Sequence, residues 1–143
     1  MDYMTKMDLD NILKPNLTEE TSIEMIRRMY GLEVTSIKPM GSFNDQNFYI
    51  QVSKQHQNPY VSEISEDGYI FKIINATKSS ITGHFDSMPA AMNHLYKKGL
   101  RVSIPVRNID GTTWKLENIP VLNKDKGPNA REKCGIHLLT FIT

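Results

Sequence analysis

The run GYIFKIIN, residues 68–75, limits what this chain can fold into more than any other stretch. Its β-branched and aromatic residues favour extended backbone. Alternation along a strand sends Tyr69, Phe71 and Ile73 to one face and Ile70, Lys72 and Ile74 to the other. Both faces are mostly apolar, so both have to be covered, which is the environment of a strand inside a sheet. Lys72 is the exception. A cation there either lays its stem along apolar surface and carries the ammonium to an edge, or it meets an anion.

The rest of the chain supplies partners for that strand. Residues 18–31 read as a helix: Thr18 can cap it, Glu19 and Glu20 suit its positive first turn, and Ile23, Ile26, Met29 and Tyr30 recur at helical spacing. Gly31 stands where a left-handed closing residue is wanted. Two strand-like runs, 32–40 and 47–54, flank the short polar loop GSFNDQ and predict a hairpin. Phe85, Met88, Met92 and Leu95 predict a second helix within 84–100, with Pro89 in its first turn. Residues 101–110 and 112–123, joined at Asp110-Gly111, read as a second hairpin; 124–135 read as a loop and 136–143 as a last strand. The expected class is α+β, a five-stranded antiparallel sheet with a packed helix, preceded by an amino-terminal helix. Residues 1–15 read as a flexible leader and 16–143 as one domain.

Charge and composition exclude several functions. Seventeen Lys and Arg stand against sixteen Asp and Glu, mixed along the chain, so the broad positive field of a nucleic-acid or membrane-surface binder is missing. No apolar run approaches the length of a membrane span, and the amino terminus is too polar and acidic for a secretory signal. The single Cys134 rules out an intramolecular disulfide and favours a reducing compartment, so a cytoplasmic location is expected. His56, His84, His94 and His137 lack metal-ligand spacing with acidic or thiol residues, and no protein-built metal site is expected.

A glycine-containing hairpin, a strand lysine, a helix and further strands follow one another in the order of the amino-terminal lobe of protein-kinase-like folds. The chain resembles the aminoglycoside phosphotransferase branch of that fold and, within it, the hydroxylysine kinase family. The likeness rests on KPNLTEE, RRMYGLEVTSIKPMGSFNDQNFYIQV, GYIFKIIN, LYKKGLRVSIPV and HLLTFIT, and runs from about Lys14 to Thr143.

This resemblance implies phosphoryl transfer from GTP, accompanied by Mg²⁺, to the hydroxyl of 5-hydroxy-L-lysine. It implies that Lys72 neutralises the α- and β-phosphates. Gly41, Ser42, Asn44, Asp45, Gln46 and Asn47 would form the loop over the phosphates, and Leu139, Thr140 and Phe141 would approach the purine from the hinge. From its residues alone GSFNDQ also fits a plain hairpin turn, having one glycine. Related phosphotransferases carry a glutamate that holds the lysine; the corresponding position here is Met88. Asp86 is the nearby carboxylate, either a substitute partner for Lys72 or a solvated first-turn aspartate. The catalytic aspartate and metal-binding groups of the family lie in a second lobe that 16–143 does not reach. The expectation is therefore a lobe truncated at the hinge and inactive alone, with Leu138, Leu139, Phe141 and Ile142 forming an exposed apolar patch. The alternatives are a non-catalytic interaction module, or a kinase of another small alcohol such as choline or an aminoglycoside.

Overall fold

The computed structural model describes residues 13–41, 44–76, 94–99, 102–122 and 127–142. The predicted helix at 84–100 and its Asp86 and Met88 lie outside these, apart from a helical turn at 94–97 that Gly99 closes at φ 85°.

Helix α1 (Glu19–Tyr30) forms as its caps dictate. Thr18 is extended (φ −79°, ψ 162°) and its Oγ1 accepts the Thr21 N–H at 3.1 Å. Gly31 adopts φ 64° and returns its N–H to the Arg27 carbonyl at 3.0 Å. The side chain thus satisfies one orphan donor at the start of α1, and the glycine one orphan acceptor at its end.

Among the described residues six strands make one sheet: β1 (Lys14–Pro15), β2 (Val34–Met40), β3 (Gln46–Val52), β4 (Tyr69–Ile74), β5 (Lys115–Leu122) and β6 (Arg131–Thr140). Their spatial order is β1-β5-β6-β4-β3-β2, with every pair antiparallel. The class is α+β as expected, but the sheet has six strands rather than five. Of the runs read as strands, 101–110 contributes only the isolated bridge of Pro105, and the sixth strand is Lys14–Pro15, which pairs with Leu122 and Val121.

The second hairpin expected over 101–123 does not form. Asp110-Gly111 does make a turn: Asn108 donates to the Thr112 carbonyl at 2.7 Å and Gly111 takes φ 94°. That turn is tied to α1, because the Ile109 N–H bonds the Met29 carbonyl at 2.9 Å. The two arms then go to different parts of β6 rather than to each other. β5 pairs with Arg131 to Ile136, and Pro105 bridges Leu139 farther along the same edge. Proline contributes no N–H to a ladder, so this edge is held by the amides beside it, Val106 to the Leu138 carbonyl at 2.8 Å and Thr140 to that of Ile104 at 2.9 Å. β6 also starts at Arg131, inside the stretch read as a loop.

Directly opposed residues in antiparallel strands share a face, so the register sorts the sheet. One face presents Phe48, Ile50, Val52, Tyr69, Phe71, Ile73, Cys134, Ile136 and Leu138, which join Met25, Ile26, Met29 and Tyr30 of α1 in a single core. Arg28 of α1 reaches Glu117 of β5 at 2.9 Å and ties the helix to that face. The other face carries Lys72. Ile74 and Leu139 are buried there, outside the α1 core. The exposed patch expected at 138–142 is thus corrected: Leu138 is fully buried against the core, Leu139 is 8% exposed, and Phe141 and Ile142 are half-buried.

Candidate nucleotide-facing surface

Lys72 sits in the middle of β4, half-buried, between β3 and β6. Its direct cross-strand neighbours are Asn47 on one side and His137 on the other, and Met40 lies beyond Asn47. The next row on the same face is Tyr49, Ile70 and Leu139. His137 is 1% exposed, so one flank of the lysine is closed by a buried imidazole. Among the described residues Lys72 makes no ion pair. Among the described residues, the paired strand positions of this face hold four lysines, Lys14, Lys38, Lys72 and Lys133, together with Arg131, and no carboxylate. In a chain whose overall charge is near zero, that is a local positive face.

The β2–β3 loop divides by function. Gly41 is exposed, and a Cβ there would meet nothing within 4 Å, so its backbone position does not demand glycine. Ser42 lies outside the described residues, and Asn44 is half-buried. Asp45 is 8% exposed, and its Oδ1 accepts both the backbone N–H and the side-chain amide of Asn75, each at 2.9 Å. Gln46 turns to the α1 face. Its Oε1 accepts the Leu17 N–H at 2.7 Å and its Nε2 donates to the Leu17 carbonyl at 2.8 Å, so the side chain copies a strand partner. The side chains of Asp45 and Gln46 therefore hold the loop in place, one at the end of β4 and one at the entry to α1. Asn47 is the loop-end residue that shares the face of Lys72.

The hinge-side residues also have internal partners. The Thr140 N–H bonds the Ile104 carbonyl, its Oγ1 accepts the Ile104 N–H at 2.8 Å, and the Phe141 N–H bonds the Gly68 carbonyl at 3.0 Å. Leu139 stands opposite Ile70 and adds apolar surface beside the lysine. The Thr140 and Phe141 amides are thus spent inside the sheet, which leaves side chains and carbonyls to meet a ligand. Phe141 instead packs edge-on against Tyr49, ring centroids 5.0 Å apart at 70°. Tyr49, which no sequence signal singles out, is fixed by donating to the Asp67 carbonyl at 2.7 Å.

No group of three or more His, Cys, Asp or Glu that could hold a metal is found among the described residues. Cys134 is buried, and its thiol is pushed up to about 12, first by burial and then by the charges of Glu132 and Asp45. Such a thiol is unreactive at neutral pH. A groove of about 460 Å³ lined by Arg27, Glu33, Ser53 and His56 lies at the far end of α1, remote in register from Lys72. No helix of the described residues is long and apolar enough to cross a membrane. Chemically, the Lys72 face can bind and neutralise an anion; among its paired strand positions the buried His137 imidazole is the one carboxylate- or imidazole-type base.

No protein-family model matches the chain. It is similar to hydroxylysine kinase from Xenopus laevis, 30% identical over 129 residues, which cover 90% of this chain and 31% of the relative. The hydroxylysine kinase of Danio rerio is 26% identical over 104 residues, 73% of this chain and 26% of the relative. That of Mus musculus is 26% identical over 132 residues, 90% of this chain and 32% of the relative. The chain spans about a third of the length of the curated relatives it matches.

Proposed function

From a chain that is kin to the hydroxylysine kinases over nine-tenths of its length, we propose that residues 16–143 form the nucleotide-holding lobe of a phosphotransferase acting on 5-hydroxy-L-lysine. The observation that carries the proposal is the placement of Lys72: a half-buried cation beside the end of the Gly41 to Asn47 loop, on a strand face without a carboxylate. A half-buried lysine with no ion-pair partner among the described residues is suited to the oxygens of a triphosphate, where lowered dielectric strengthens the pairing.

In the reaction, the side-chain hydroxyl of 5-hydroxylysine attacks the γ-phosphorus of GTP. The bond from that phosphorus to the bridging oxygen breaks, GDP leaves, and the hydroxyl proton passes to a base. Lys72 offsets charge on the α- and β-phosphates, and the loop covers them with backbone N–H donors. The base and the acceptor pocket are assigned to sequence outside this chain, so that it is inactive alone. Mg²⁺ would travel with the nucleotide. The described residues do not fit a metal site of their own, since the lysine's strand face lacks a carboxylate.

The test is ligand protection. Thermal melts of the chain with Mg·GTP should rise with nucleotide concentration, as binding to the folded state alone requires, and Lys72→Met should abolish the rise. Equal protection of both forms removes Lys72 from the site and leaves the non-catalytic interaction module. For the acceptor, transfer of labelled γ-phosphate by the longest form of the protein should favour 5-hydroxylysine over choline and an aminoglycoside. A preference for either of the latter overturns the substrate but not the lobe.

A further inference from the structure

We propose that Asn47 is the positioning residue of Lys72, its amide oxygen holding one N–H of the ammonium while the other two face the phosphates. The proposal rests on the reading of Lys72 as the phosphate-binding cation. Three observations converge on it. Asn47 and Lys72 are direct register partners on one face, so their Cβ atoms stand about 4.5–5.5 Å apart. Asn47 Oδ1 is buried and accepts no hydrogen bond, whereas Asp45 and Gln46 beside it are fully engaged. Lys72 carries three N–H donors and makes no ion pair among the described residues.

A buried acceptor without a donor is costly to maintain, and Lys72, the direct cross-strand neighbour of Asn47, carries N–H donors that a side-chain rotation can bring to it. The lysine's four-carbon arm is long enough to bring its ammonium over the amide one strand away, while the buried His137 closes the opposite flank. Chemistry explains why an amide serves here. A carboxylate would neutralise the cation and compete with phosphate oxygens for it. A neutral carbonyl fixes the direction of the ammonium and leaves the whole positive charge to the nucleotide.

The experiment follows the lysine ammonium itself. With ¹⁵N-labelled lysine, the Lys72 NH₃⁺ resonance of the unliganded chain, assigned by its loss in Lys72→Met, should be visible because hydrogen bonding slows its exchange. Asn47→Leu should speed that exchange by about tenfold, the equilibrium equivalent of one lost hydrogen bond to a charged group. Asn47→Asp, which keeps the acceptor, should retain the slow exchange but weaken Mg·GTP binding. If Asn47→Leu does not give a folded backbone spectrum, Asn47→Ala replaces it with the same expectation. An exchange rate for Lys72 unchanged in the Leu or Ala variant overturns the proposal. If the exchange responds while Lys72→Met leaves Mg·GTP protection intact, the pair stands and the nucleotide reading is what fails.

Discussion

Asp45 and Asn75 face each other across the open end of β3 and β4, and a single oxygen, Asp45 Oδ1, receives both the backbone N–H and the side-chain amide of Asn75 at 2.9 Å. Both residues are buried, at 8% and 3% exposure. The contact decides where the β2–β3 loop ends and how the chain leaves β4.

Replacing Asp45 with alanine should leave two buried donors of Asn75 without this acceptor. The expected loss is about 2–4 kcal/mol, given ~1–3 kcal/mol for each unsatisfied buried group. Urea denaturation of Asp45→Ala and Asp45→Asn checks it. The asparagine form keeps a carbonyl oxygen and should lose less.

Gly68 precedes β4 at φ +88°, and a Cβ there would stand 2.6 Å from the Ile50 carbonyl oxygen and 2.8 Å from Tyr49 Oη. Backbone strain and collision act together in Gly68→Ala. A destabilisation of roughly 2–4 kcal/mol is expected, and it should also displace Tyr49, whose hydroxyl donates to Asp67 next door. A urea midpoint equal to wild type would show that β3 and β4 can separate to admit the methyl.

The Cys134 thiol, pushed up to about 12 by burial, should resist thiol reagents at pH 8 until the chain unfolds. Its folded value lies above the ordinary thiol value of about 8.5. Its contribution to stability is therefore complete below that pH and declines as pH rises from there toward about 12. Urea midpoints collected between pH 8 and 10 should fall, and Cys134→Ala should remove that part of the slope. Rapid labelling of the native protein would contradict the burial.

Asp110 responds in the opposite direction. Its carboxyl is lowered to about 2 by the hydrogen bond from Lys115, at 2.5 Å, and then by the backbone and hydroxyl of Thr112. A folded value below the unfolded one means its stabilising contribution is present above about pH 4 and is lost as pH falls toward 2. Carboxyl ¹³C titration should give a midpoint near 2, and Lys115→Met should move it up toward the ordinary carboxylate range.

Much of this fold was legible because its signals are local. Thr18 and Gly31 mark both ends of α1 by chemistry that needs no distant partner. The strand at 68–75 announces its burial by being apolar on both faces. The hairpin expected at Asp110-Gly111 went wrong because a turn fixes only its own four residues. Whether the arms then pair depends on β6, more than ten residues farther along, and on Met29, which holds the turn from the other side. β6 was misread at its start because Arg131 and Lys133 are exposed there and look like loop residues. Lys72 could be singled out from pattern. The anchoring work of Asp45 and Gln46 could not, since Asn75 and Leu17 are 30 and 29 residues away. Nor could the use of the Thr140 and Phe141 amides inside the sheet.

The central place of β6 sets the order in which this chain can assemble during synthesis. Among the described strands, β4 with its neighbours on one side and β5 with β1 on the other are joined into one sheet by pairing with residues 131–140. A nascent chain that has not released those residues from the ribosome carries two half-sheets, each with a long bare edge open to wrong partners. Protection by a chaperone should therefore matter most in the interval between translation of Leu122 and emergence of Thr140.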